Sequence, residues 1–231
     1  MTSKIINLVF VVFVVAGLPV LAHSTMSNED LLALPRKSLY LSAALSQWLL
    51  AALTFLVVLT TSAGFAEFRP VAPGTFAKWL ALLIAISWGG LGVVLIFEAR
   101  GWWPEESKWV YALIPRTNEE RLWALALVAP TAGFCEEFLY RGYLLAQLYR
   151  YLHSAAWAWI ISSVAFGMAH WYQRADGATR AALLGALLAW PVIRLGSIYP
   201  SVAAHFLIDA VALAWLGPAM LKRQTHSSPS R

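Results

Sequence analysis

An all-α, polytopic bundle of about seven membrane-spanning helices plus one interfacial helix is the fold class predicted by this 231-residue sequence. Three observations predict it. Hydrophobic residues make up 60% of the chain and charged residues 13%, with a mean hydropathy of +0.64, against nearer ~45–50% and ~25% in a soluble domain. The apolar residues gather into separate runs long enough to cross a bilayer. Twelve Trp and eight Tyr suit aromatic belts at the two interfaces. The net charge of +5 sits mostly in short loops and the tail. There it orients a membrane protein and argues against nucleic acid as a partner. A single cysteine, Cys135, excludes an internal disulfide and any multi-cysteine metal site.

Taken in order, Ile5 to Ala22 is apolar behind Lys4, and Val20-Leu-Ala22 has the small residues of a signal-peptidase site. The alternatives are a cleaved signal peptide and an uncleaved first span, and the uncleaved span is the expectation. Ser24 to Ser38 is polar and reads as a loop. Tyr40–Thr61 and Phe76–Phe97 are the second and third spans. Between them Ser62–Thr75, with Pro70 and Pro73, is a turn-rich connector. Glu98–Arg116 is charged and aromatic, too short to span, and reads as an interfacial helix begun at Pro104. Thr117-Asn-Glu-Glu120 is a capping box, and it opens a helix over Glu119–Tyr151 that Pro130 kinks. A fifth span runs from Ser154 to His170, and Arg174-Ala-Asp-Gly177 turns the chain. Ala178–Leu195 is the sixth, with Pro191 inside it. Arg194 to Pro200 is a turn, and the last span ends near Gly217-Pro218. The divisions are membrane helices and interfacial segment over 1–118, a catalytic bundle over 119–220 and a polar tail over 221–231.

Of the twelve acidic residues, only Glu136, Glu137 and Asp209 lie within long apolar segments. An ionisable group at bilayer depth costs at least ~2.5–3.5 kcal/mol on insertion scales, so it marks a functional site by default. On a helix Glu137 and Arg141, four apart, share a face as a buried ion pair, while Glu136 points ~100° aside. Glu136 is thereby left without a local partner, and acid–base chemistry gives it a reason to be there. His170 ends the fifth span and, alone, reads as an ordinary interfacial polar residue. His205 and Asp209, four apart on the last span, read alone as a mutual hydrogen bond. Three polar clusters on three spans, converging on a water-filled cavity, point instead to hydrolysis.

Glu136-Glu-Phe-Leu-Tyr-Arg141, Phe166-Gly-Met-Ala-His170 and His205-Phe-Leu-Ile-Asp209 resemble the three ordered motifs of the CPBP family of intramembrane endopeptidases. That family includes the prenyl-CAAX and bacteriocin-processing enzymes. The likeness covers roughly residues 119–217, and the first hundred residues read as generic membrane helices. It implies that Glu136 activates a water with help from His170, with Glu137 and Arg141 in support. His205 and the residue at 209 would stabilise the oxyanion. The best-described prenyl proteases carry Asn at that last position. An ionised Asp209 cannot donate, so either it keeps a proton or it orients His205, and the second is the expectation. The implied chemistry uses no cofactor. The competing mechanism is zinc held by Glu136, His170 and His205 in a His₂Glu site with an open fourth position.

The expected protein is thus a multi-pass intramembrane endopeptidase of a prokaryotic plasma membrane, in contact with the lipid bilayer, that cleaves a membrane-associated protein substrate near the membrane surface. Its rivals are a non-catalytic scaffold or immunity-type protein and a proton-coupled transporter. A transporter would show inverted repeats or paired broken helices, and the sequence has neither. Outside the Glu136–Arg141 motif, five Lys and Arg fall on the N-terminal side and eleven on the other, which places the C-terminal end in the cytoplasm. Lys4 ahead of the first span argues the other way.

Overall fold

The computed structural model describes residues 2–26, 28–61, 68–102, 104 and 106–221. The polar tail from Lys222, positions 62–67 of the connector, and Trp103 and Glu105 of the interfacial segment lie outside the described residues. The chain is almost entirely helical, and among the described residues there is no strand, only an isolated bridge between Phe68 and Ser197. Among the described residues, six helices are long and apolar enough to cross a membrane: α1 (Thr2–Thr25), α2 (Arg36–Thr61), α3 (Pro73–Glu98), α5 (Asn118–Leu152), α7 (Trp171–Leu195) and α8 (Tyr199–Leu221). The expected fifth span is α6 (Ala155–Ala169), apolar but only 15 residues long.

α5 is the axis of the bundle. Its capping box forms as expected: Thr117 Oγ1 accepts from the Glu120 amide at 3.1 Å, and Glu120 accepts from the Thr117 amide at 3.2 Å. Tyr140, Tyr143, Leu144 and Leu148 of α5 form one core with Phe10 and Val14 of α1, Val57 of α2, Phe166 of α6 and Val192 of α7. Two glycines let helices approach where the site needs them. A Cβ on Gly133 would lie 2.9 Å from the Phe206 amide nitrogen, so α8 sits hard against α5 beside His205. A Cβ on Gly167 would lie 2.5 Å from the Ala178 carbonyl, so the Phe166–His170 motif abuts α7.

α1 is tied in by a buried polar clamp. Tyr143 donates to Asn7 Oδ1 at 2.6 Å, and Asn7 Nδ2 donates to Gln147 at 2.8 Å and to Tyr151 at 3.0 Å. Away from water, such groups must satisfy one another. Their pairing fixes the register of α1 on α5.

Among the described residues, four π turns interrupt the long helices: Phe13–Gly17, Ala124–Val128, Phe138–Leu144 and Ala212–Leu216. Three of them close just before a proline, namely Pro19, Pro130 and Pro218. A proline cannot donate to the carbonyl four residues back and its ring crowds that carbonyl. The wider turn relieves the crowding and lets the helix run on. Gly217-Pro218, expected to end the last span, is therefore passed through, and α8 continues to Leu221. No proline accompanies the fourth, Phe138–Leu144. It follows directly on Glu136 and Glu137 and carries Arg141, in keeping with the frequency of π turns at functional sites.

Two further expectations are corrected. The interfacial helix shrinks to α4 (Lys108–Leu113). It starts at Ser107 rather than Pro104, because the Ser107 hydroxyl caps the Val110 amide and donates to the Tyr172 carbonyl, while Glu106 turns away to Arg180. Arg174–Gly177 is not a turn but the start of the α-helical part of α7. The chain reverses instead through a 3-10 turn, Trp171–Gln173, with Arg174 at φ +68°. Asp176 then sits in the first helical turn, where a carboxylate is favourable, and pairs with Arg180 at 3.8 Å.

Candidate active site

Six side chains singled out in the sequence meet in the bundle. Glu136, Glu137 and Arg141 come from α5, His170 from the C-terminal cap of α6, and His205 and Asp209 from one face of α8. His170 stands 3.8 Å from Glu136, although the apolar runs alone set the three clusters at different depths.

Glu137 is fully buried and accepts two hydrogen bonds on one oxygen, from Arg141 Nη1 at 2.9 Å and from His205 Nδ1 at 2.8 Å. Arg141 in turn donates to the Gly185 carbonyl at 3.0 Å and lies 4.4 Å over the Phe166 ring. A Cβ on Gly185 would come within 3.1 Å of that guanidinium nitrogen, so the glycine leaves the space it needs. The expected ion pair is present, and it does more than join neighbours on one helix. Through His205 it ties α5 to α8.

Glu136 presents its two oxygens differently. Oε1 accepts from Gln47 Nε2 of α2 at 2.7 Å. Oε2 is buried, accepts no hydrogen bond among the described residues, and stands 3.8 Å from both His170 Nε2 and His205 Nε2. Polar atoms separated by such a gap are commonly bridged by water. His170 Nδ1 lies 2.8 Å from the Phe166 carbonyl, which can only accept, so that nitrogen donates and Nε2 faces Glu136. The orienting of His205, expected from Asp209, comes at Nδ1 from Glu137. Asp209 stands 3.6 Å from the opposite nitrogen, Nε2, with 29% of its side chain exposed.

These groups line one end of a cavity of about 490 Å³. Gln47, Glu136, His170, Tyr172, His205 and Asp209 line it, with Glu98, Glu106 and Arg180 as further charged groups and an otherwise mainly apolar wall that includes Leu95 and Leu216. Among the described residues, no three His, Cys, Asp or Glu side chains have an arrangement that could hold a metal ion. Two ligands of a tetrahedral zinc at ~2.0–2.1 Å stand about 3.4 Å apart. The 3.8 Å spacings here are wider.

Gln47 lies in the first hundred residues, which read from the sequence as generic membrane helices. The signal was there, in a glutamine between Ser46 and Trp48 within an apolar span. Tyr172, on the cavity wall, was likewise passed over.

One family model matches, described as Rce1-like: Type II CAAX prenyl endopeptidase Rce1-like, over residues 118–211. That stretch contains all six motif residues and is consistent with a CPBP family intramembrane protease. No curated protein and no solved structure matches the chain. The matched stretch lies on α5 to α8 of the multi-pass helical bundle.

Proposed function

We propose, from an Rce1-like endopeptidase domain at residues 118–211, that this protein hydrolyses a peptide bond in a membrane-associated protein with Glu136 as the general base. The observation that carries the reading is Glu136 Oε2, a buried carboxylate oxygen that accepts no hydrogen bond from the described residues and is flanked at 3.8 Å by two imidazole nitrogens. A water held there donates one hydrogen to Glu136 and the other to His170 Nε2. Its lone pair then faces the cavity, where a scissile carbonyl can enter. As the water oxygen bonds to the carbonyl carbon, Glu136 takes its proton and the carbonyl oxygen becomes an oxyanion. His205, donating to Glu137 at Nδ1, donates to that oxyanion at Nε2. Collapse breaks the C–N bond, and the proton on Glu136 passes to the leaving amine. The matched family supplies the hydrolytic chemistry, while the substrate's sequence and any lipid it carries are separate questions.

We read the reaction as metal-free. The spacing of Glu136, His170 and His205 supports this, and so does Gln47, which commits one oxygen of Glu136 to a hydrogen bond. The test uses full-length protein in lipid nanodiscs and a peptide spanning a terminus whose appearance in cells depends on Glu136. Activity is expected to survive exhaustive chelation. Stoichiometric zinc lost and restored in step with activity would overturn the reading.

His205 and Asp209 separate by substitution. Removing one oxyanion donor costs on the order of 10²–10³ in kcat, and His205→Ala is expected to lose at least that. Asp209→Asn should keep substantial activity, since an amide beside Nε2 also donates to the oxyanion. Asp209→Ala should not. Equal activity in Asp209→Ala and Asp209→Asn would remove Asp209 from the site.

A further inference from the structure

We infer that Gln47 of α2 is a positioning residue for Glu136, so that the site is completed by a helix outside the 118–211 domain. The inference rests on Glu136 being the general base. A glutamate side chain has three rotatable bonds, and a base must hold one oxygen within hydrogen-bond reach of the proton it removes. Nothing on α5 can do this for Glu136. Its neighbour Glu137 is committed to Arg141 and His205, and the two histidines stand 3.8 Å away.

The Gln47 amide fixes Oε1 at 2.7 Å. This turns Oε2, which accepts no hydrogen bond from the described residues, toward both imidazoles. The amide suits the task because it donates a hydrogen bond without carrying charge. A lysine or arginine here would compete with the water for the carboxylate, and a carboxylate would repel it.

Gln47 is itself held in place. On the next residue, Trp48 Nε1 donates to Thr131 Oγ1 of α5 at 3.1 Å, and the Trp48 ring stacks on Phe134 at 5.6 Å. Both anchors lie within the turn and a half of α5 that precedes Glu136. α2 therefore grips α5 at one point with its apolar ring and at the next with its amide. A glutamine lining the cavity only to meet water would need neither anchor.

The experiment uses full-length protein in nanodiscs carrying Gln47→Met, which keeps the length and removes the donor, or Gln47→Glu, which replaces it with a carboxylate. On a Glu136-dependent terminal peptide, Gln47→Met is expected to lower kcat by up to about 100-fold, the scale of a misplaced catalytic group, with KM unchanged. Gln47→Glu should be at least as damaging. Infrared difference spectra, each protein minus its own Glu136→Gln counterpart, isolate the Glu136 carboxylate stretch. That band should shift in Gln47→Met even with no substrate present. A wild-type kcat in Gln47→Met, or an unshifted band, overturns the inference. An active Glu136→Gln protein overturns the general-base reading and with it the role of Gln47 in that reaction. In that case an infrared shift still records the contact, so the two failures are told apart.

Discussion

Glu136→Gln is expected to abolish peptide-bond hydrolysis while leaving a folded protein, with a loss of ~10²–10⁴-fold or more, as for a positioned general base. The substitution keeps the size of the side chain and an oxygen for the Gln47 amide to bond. It removes the acceptor for the water's proton on Oε2. Stability should change little, because Oε2 accepts no hydrogen bond from the described residues. Comparing mature C-termini in cells that carry wild type or Glu136→Gln would reveal the substrates at the same time. Purified Glu136→Gln protein that turns over such a terminus at nearly the wild-type rate would end the assignment. It would favour a scaffold, which tolerates the change.

Glu137→Gln, one residue along, is expected to fail in a different way. This carboxylate is the shared acceptor for Arg141 and His205, and all three are buried. Breaking a buried pair by neutralising one partner costs ~3–5 kcal/mol, mainly because a charge is left behind without its partner. The melting temperature of the purified protein should fall sharply. Activity should fall with it, since His205 loses the acceptor that fixes its ring. The double variant Glu137→Gln/Arg141→Met tests the cause. Removing the stranded cation as well should return part of the stability and none of the activity, because His205 stays unanchored. A wild-type melting temperature in Glu137→Gln would refute the ion-pair role.

The contrast between these adjacent glutamates shows what was legible in the sequence. The four-residue spacings of Glu137 with Arg141 and of His205 with Asp209 are properties of any helix. The order of the three motifs was enough to gather the six residues. What periodicity does not carry is contact between elements far apart in the chain. Glu137 reaches His205 across 68 positions because Gly133 lets α8 close on α5, and Gln47 reaches Glu136 across 89. Helix ends misled for a physical reason as well. Proline and glycine punctuate water-soluble helices, but here α8 takes Pro218 on a π turn and continues. Asp176-Gly177, turn-like in composition, opens a helix. Serine at 107, rather than the more conspicuous Pro104, decides where α4 begins.

The shortness of α6 has a consequence for the lipid around it. Fifteen residues rise about 22 Å at 1.5 Å each, against a hydrocarbon layer of ~30 Å. A helix that stops short must draw the bilayer thinner beside it or leave a notch that water fills, at fractions of a kcal/mol per ångström of mismatch. The residue at that early stop is His170. Thinning beside α6 brings the aqueous phase toward that imidazole and the cavity it lines. Acyl-chain length becomes a variable of the chemistry, with thick bilayers working against the supply of the one co-substrate that hydrolysis requires.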